Sequence, residues 1–197
     1  VGIVPIHLSG KVCEMDTIMS IARKHHLWVV EDACQALGAK VRVKGYPRGF
    51  ERILGAGSIG NTGCFSFISP KTLGGAGDGG AIVTNDKRLY EHMKLLRNHW
   101  NVTQGALHGH QPETPKVMGW GYNTRLDNVH AAYLNVKIKY YPAMLERRRE
   151  IAMCYNGGFS DLDDIYIPIQ QPDQIYQEYI IEVPDMWKFK KYMDGKG

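Results

Sequence analysis

The stretch Val29-Val30-Glu31-Asp32-Ala33-Cys34-Gln35-Ala36-Leu37-Gly38-Ala39 decides the fold once it is joined to its neighbours. Trp28–Glu31 is a short apolar run closed by acids, which reads as a strand. Working backward, Glu14–His26 carries Met15, Ile18, Met19 and Ala22 at helical spacing. Asp16 falls in its first turn, where a negative charge suits the helix dipole. Before it, Ile3–Leu8 reads as another short buried strand. Strand, helix and strand this close together make a βαβ unit, hence a parallel sheet with a right-handed crossover. Ligands of open α/β sheets bind at the carboxyl ends of strands, and Asp32 falls at such an end.

Working forward, Val41–Asn61 is irregular and glycine-rich, so it reads as a loop with one short strand at Ala39–Val43. The segment CFSFISPKTLGGAGDGGAIVTND (64–86) then gives a strand at Gly63–Ile68, Lys71, a glycine turn at Gly74–Gly80 and a strand at Gly80–Thr84. Asn85 or Asp86 caps a helix that runs to about Asn98. Trp100–Trp120 has no period and reads as a long loop. Asp127 caps a helix that Pro142 breaks or kinks, and a second stretch ends at Asn156-Gly157-Gly158. Strands are expected near Ile165–Ile169 and Gln177–Val183, with a helix start near Asp185. The fold class is α/β with a mainly parallel sheet over residues 1–140. Residues 141–197 read as a linking helix and the opening of a smaller α+β domain.

The 197 residues are 44% hydrophobic and 22% charged, which fits a globular protein and excludes a disordered one. With 24 basic and 20 acidic residues well mixed, a nucleic-acid partner is not expected. The basic run Arg147–Arg149 is flanked by Glu146 and Glu150 and reads as a solvated helix face. Four cysteines without CxxC spacing, and histidines without HExxH, point to reduced thiols in a cytoplasmic protein and to no metal site. No apolar run approaches the ~20 residues of a membrane span. The start at Val1 lacks the basic leader of a signal peptide, and without an initiator Met the chain is expected to be a piece of a longer protein.

A lysine after a strand, a strand-end aspartate and a glycine turn are the parts a pyridoxal phosphate enzyme needs. The lysine amine can form a Schiff base with the cofactor aldehyde, and the aspartate can keep the ring nitrogen protonated. Taken singly, Lys71 is an ordinary surface lysine, Asp32 a turn cap and Ser66 a strand serine facing a polar layer. A phosphate loop of the nucleotide kind fits poorly, because the GxxxxGK[ST] form is missing. As a set, EDACQALGA (31–39), CFSFISPKTLGGAGDGGAIVTND (64–86) and GYNTRLD (121–127) resemble the DegT/StrS family of sugar aminotransferases.

That resemblance covers about Pro5 to Val183 and implies an aspartate-aminotransferase-like (type I) fold, here the second half of the large domain plus the start of the small one. It implies pyridoxal 5'-phosphate as cofactor, glutamate as amino donor and a keto-sugar, usually nucleotide-linked, as acceptor. By the same match Lys71 is the catalytic lysine, Asp32 the ring-nitrogen partner and Gln35 a contact near the phenolic oxygen. Ser66 is implied as a phosphate ligand, and Asn123 as one that reaches across a homodimer interface. His99, in Arg97-Asn98-His99, matches a family Arg-Asn-His and is read as a loop or interface residue ahead of one that faces the substrate. The glycine/serine helix start that grips the phosphate, and the aromatic that stacks on the ring, are implied to lie outside this stretch. Gly49–Asn61 departs from the compact link of the family. Same-family dehydratases carry histidine where Lys71 stands, and a non-catalytic regulatory module remains a further alternative. The sugar, and whether it serves surface glycan or antibiotic synthesis, stay open.

Overall fold

The computed structural model describes residues 1–44, 51–102, 116, 117 and 119–197. Its centre is a four-stranded sheet. Strand β1 (Gly2–Ile3) leads into α1 (Met15–Lys24), which returns to β2 (Trp28–Asp32). After the hairpin β3 (Lys40–Val43) and β4 (Arg52–Gly55), the chain re-enters the sheet as β5 (Thr62–Ser66) and β6 (Gly80–Val83). The order is β1-β2-β5-β6, with β1, β2 and β5 parallel and β6 antiparallel to β5. The sheet is therefore mixed and mainly parallel, in keeping with the βαβ reading.

The first strand is shorter and more exposed than expected. Pro5 has no N–H to continue a ladder, and only the isolated bridge Ile6↔Asp32 prolongs the pairing. Pro5 and His7 point inward, while Val4, Ile6 and Leu8 are exposed. A single 3₁₀ turn, Leu8–Gly10, follows, with Ser9 and Gly10 at φ of 54° and 84°. Helix α1 buries Met15 and Ala22, and His26 at φ 53° stops the chain from continuing it.

Residues read as an irregular loop between 41 and 61 contain β4, which pairs antiparallel with β3 in the register Val41↔Leu54. Leu54 and Val41 pack on the core, so burial outweighs the turn-rich composition around them. The tip at 45–50 lies outside the described residues. Within Trp100–Trp120, a two-residue ribbon joins β7 (Asn101–Val102) to β8 (Lys116–Val117), and 103–115 and 118 lie outside the described residues.

Asp86 caps α2 (Lys87–Leu96), its carboxylate accepting the N–H groups of Arg88 and Leu89 at 2.8 and 3.1 Å. Asp127 holds the cap position of α3 (Asn128–Lys137), but its side chain makes no capping bond. Pro142 opens α4 (Tyr141–Phe159), where its fixed φ suits the first turn. That helix runs through Asn156-Gly157-Gly158, against expectation. Two glycines cost about 1 kcal/mol each in a helix. Asn156 offsets this through paired amide bonds to Gln170 and one from the Tyr179 hydroxyl, while Tyr155 and Phe159 stack beside Tyr179.

Of the two strands expected in the last third, only the bridge Tyr166↔Glu182 forms. Pro168 removes a donor there, and the backbone of Ile175 and Gln177 is taken up by Gly10 and Ser9. Helix α5 (Met186–Asp194) starts where expected, capped by Asp185. The core joins Met15, Val29, Ala33, Ala36, Ile59, Leu73, Leu145 and Ile175. Gly38, at φ 87°, lets the turn after β2 lie against α4, where a Cβ would stand 2.7 Å from Leu145. Among the described residues no helix is long and apolar enough to cross a membrane.

Candidate active site

Successive residues of a strand face opposite sides of its sheet, and the carboxyl end of β2 uses this. Glu31 turns inward and is fully buried. Its carboxylate accepts from the backbone N–H groups of Gly57, Ile59 and Gly60 at 2.9, 2.6 and 2.5 Å. The fourth donor is His7 Nε2 at 2.9 Å. Because His7 Nδ1 accepts the Cys13 N–H at 3.2 Å, Nε2 carries the ring proton. Burial alone pushes the Glu31 carboxyl up, and the His7 bond with the three amides outweighs it, bringing it below its ordinary value. This anchor fixes the residue next to it.

Asp32 is partly buried. Its backbone is held on both sides, N–H to the Pro5 carbonyl at 2.9 Å and carbonyl to the His7 N–H at 3.0 Å. Oδ1 accepts the Cys34 N–H at 3.1 Å, and Oδ2 has no partner among the described residues.

Lys71 comes from the turn after β5, the strand beside β2. Its N–H closes the turn on the Ile68 carbonyl at 2.9 Å. Its half-buried side chain makes no hydrogen bond among the described residues. Lys71 and Asp32 act on one thiol. Burial, then hydrogen bonding to Asp32 and the Asp32 charge, push Cys34 up to about 11, while the Lys71 ammonium pulls it down. Cys64, opposite Asp32 in the ladder, is raised by burial and by Asp32. The carboxylate thus stands at the end of β2, and the amine on the turn that follows its neighbour β5.

Gln35 lies on the turn after β2, and its Oε1 accepts the Ser9 N–H at 2.6 Å. Ser66 ends β5 opposite Gly80, its Oγ accepting the Ile68 N–H at 3.3 Å. The glycine turn folds back on itself and on α3. A Cβ on Gly74 would collide with the Ser69 carbonyl oxygen, and Lys137 Nζ donates to the Gly74 carbonyl at 2.6 Å.

Asn123 makes no hydrogen bond to Asp32 or Lys71 among the described residues. It is exposed, bridges to Asn98, and accepts from Arg125 Nε at 3.0 Å. The two stretches singled out in sequence are zipped together here: Tyr122 N–H to Leu96, His99 N–H to Tyr122 and Thr124 N–H to Arg97. His99 and Trp100 take φ of 56° and 54° beside this seam, and Gly121 fits beneath them with no room for a Cβ.

A lysine amine, a strand-end carboxylate with a spare oxygen and glycine backbone nearby suit a cofactor with an aldehyde, a ring nitrogen and a phosphate. The residues present fit pyridoxal phosphate. Sequence reading missed His7, whose signal was faint: a polar residue in the inward half of an alternating run.

Comparison with known proteins agrees. The chain is 33% identical over 198 residues to a Streptomyces venezuelae dTDP-3-amino-3,4,6-trideoxy-alpha-D-glucose transaminase, matching all of this chain and 47% of that protein. It is 37% identical over 162 residues to a UDP-N-acetyl-3-dehydro-alpha-D-glucosamine 3-aminotransferase of Acidithiobacillus ferrooxidans, covering 82% of this chain and 38% of the relative. A crystal structure of a DegT DnrJ EryC1 StrS aminotransferase from Brucella abortus superposes with a TM-score of 0.80 at 28% identity, over 98% of this chain and 47% of that one. The chain spans about half the length of such relatives. Residues 1–194 match the sequence pattern of the DegT/DnrJ/EryC1/StrS aminotransferase family, and the chain belongs to that family.

Proposed function

We propose that the protein carrying this chain is a pyridoxal phosphate aminotransferase that moves an amino group from glutamate to a nucleotide-linked keto-sugar. The observation that carries the reading is the match of residues 1–194 to the aminotransferase family, with the Asp32 carboxylate at the end of β2 and Lys71 on the turn after the neighbouring strand β5. Relatives named for dTDP-sugar and UDP-sugar amination support the substrate class.

When bound, the cofactor supplies an electron sink for the bond-breaking at the donor's α-carbon. The chain supplies the rest. Asp32, at the end of β2, would hold a proton on the cofactor's ring nitrogen. Lys71 would hold the cofactor through its amine and would be the base and acid that moves the proton. Gln35 would hold the cofactor's phenolic oxygen region, and Ser66 would hold its phosphate. Asn123 is a phosphate ligand supplied to the partner subunit of a homodimer. Residues 1–140 belong to the large domain and 141–197 to the linking helix and small domain, in a cytoplasmic enzyme.

A second reading, a regulatory module without turnover, takes support from a 32% identical relative in Geobacillus stearothermophilus named a pleiotropic regulatory protein. One experiment separates the two. The full-length protein is loaded with pyridoxal phosphate, reduced with borohydride and digested. A pyridoxyl group on Lys71 by mass spectrometry, with amination of keto-sugars by glutamate, is the expected result. A folded protein with no label on Lys71 would remove the catalytic reading.

A further inference from the structure

Gln177 lies 105 residues beyond Thr72, yet its side chain holds both peptide groups that flank Lys71. Gln177 Oε1 accepts the Thr72 N–H at 3.0 Å, and Gln177 Nε2 donates to the Pro70 carbonyl at 3.0 Å. A carboxamide can do this because it carries a donor and an acceptor on one planar group. The partners fix its orientation, since a backbone N–H only donates and a carbonyl only accepts.

The clamp is itself held. Ile175, fully buried, donates its N–H to the Gly10 carbonyl at 3.2 Å, and Gln177 donates its own to the Ser9 carbonyl at 3.2 Å. Ser9 sits at φ 54°, a conformation that costs a non-glycine residue on the order of 1–3 kcal/mol. Two bonds keep it there: its carbonyl accepts from Gln177, and its N–H goes to Gln35 Oε1 at 2.6 Å. Gly10 accommodates the strap, because a Cβ there would stand 2.6 Å from Ile175. On the far side, the Thr72 hydroxyl meets the Tyr141 hydroxyl at 2.6 Å, and that hydroxyl bonds the Leu37 carbonyl at 2.8 Å.

We infer that Gln177 is the positioning residue of Lys71, and that Ser9 links this clamp to Gln35, so that the lysine and the turn after β2 are held in one frame. The inference rests on the catalytic reading of Lys71 given above. A proton-transferring amine displaced by about 1 Å loses on the order of 100-fold in rate, and two peptide bonds pinned on either side of its α-carbon restrict that displacement.

The test uses the full-length protein. Gln177→Met keeps the volume and removes both bonds, and Gln177→Glu keeps the acceptor for Thr72 while losing the donor for Pro70. Amide exchange, read on the cofactor-free protein, follows the Thr72 N–H independently of any activity. For Gln177→Met we expect exchange at Thr72 to speed up about fivefold, the worth of one typical hydrogen bond, with β2 and β5 unchanged. We expect kcat to fall about tenfold or more with KM for the sugar within about twofold. Gln177→Glu should keep Thr72 protected and lie between the two in kcat. Unchanged Thr72 exchange, acceleration spread evenly over β2 and β5, or an unaltered kcat would each overturn the inference. Should Gln177→Met fail to fold, Gln177→Glu decides alone: a kcat equal to wild type overturns it. If wild-type Lys71 takes no pyridoxyl label, the aminotransferase reading fails while the exchange result still reports the clamp.

Discussion

His7 and Glu31, both fully buried, meet at 2.9 Å beneath the strand end that carries Asp32. A buried carboxylate held by hydrogen bonds is costly to disturb, about 1.5–3 kcal/mol for a bond to a charged group, because the donors left behind lose their acceptor. Here three backbone amides also depend on the carboxylate. Glu31→Gln turns an amide NH₂ toward groups that only donate, so we expect a loss of about 3 kcal/mol, measured by urea unfolding. The pH dependence follows from the lowered carboxyl. Its stabilisation is fully present above the unfolded value, about 4.3, and is lost as pH falls through the lower folded value. Wild type should lose stability below about pH 4, and Glu31→Gln should show a flatter acid limb. Parallel acid limbs for the two proteins would refute the assignment.

The thiol of Cys34 is a built-in reporter of how Asp32 and Lys71 are disposed. At about 11, Cys34 is scarcely ionised at pH 8 and should alkylate slowly beside the exposed Cys154. The two neighbours push in opposite directions. In the cofactor-free protein, Asp32→Asn should lower the Cys34 value and speed iodoacetamide labelling at pH 9, whereas Lys71→Ala should raise it and slow labelling. Each unit changes the thiolate fraction about tenfold in that range. Shifts of the same sign in both variants would mean that the carboxylate and the amine do not share this thiol.

Lys71→Ala removes the amine with little cost to folding, since the half-buried side chain makes no hydrogen bond among the described residues. Transamination should drop by on the order of 10³-fold, while Tm moves by no more than about 3 °C. Comparable turnover in the variant would eliminate Lys71 as the proton carrier.

The roles assigned to Asp32 and Lys71 came only from the resemblance of the whole set of motifs, but their places after strands were legible because each follows a short apolar run, a local signal. The cap at Asp86 was legible for the same reason: its partners, Arg88 and Leu89, are two and three residues away. His7 and Gln177 were not legible. The partner of His7 is 24 residues distant and the clamp on Thr72 spans 105, so no local preference marks either. Strand β4 and the helical Gly157-Gly158 failed in the opposite sense. Their composition favours turns, and packing of Leu54 on the core and of Tyr155 and Phe159 beside Tyr179 overrode it.

Asn123 gives the last prediction, because its exposure suits a ligand delivered to another subunit. Lys71→Ala and Asn123→Ala subunits, each inactive alone, are unfolded together and reassembled in equal amounts. If Asn123 serves the partner's site, each mixed dimer has one site with both defects and one with neither. Half of the dimers are mixed and half of their sites are intact, so activity should return to about a quarter of wild type in a two-fold symmetric dimer. If Asn123 served its own chain's site, every site in the mixture would carry one defect. No activity would then return, and the cross-subunit role would be gone.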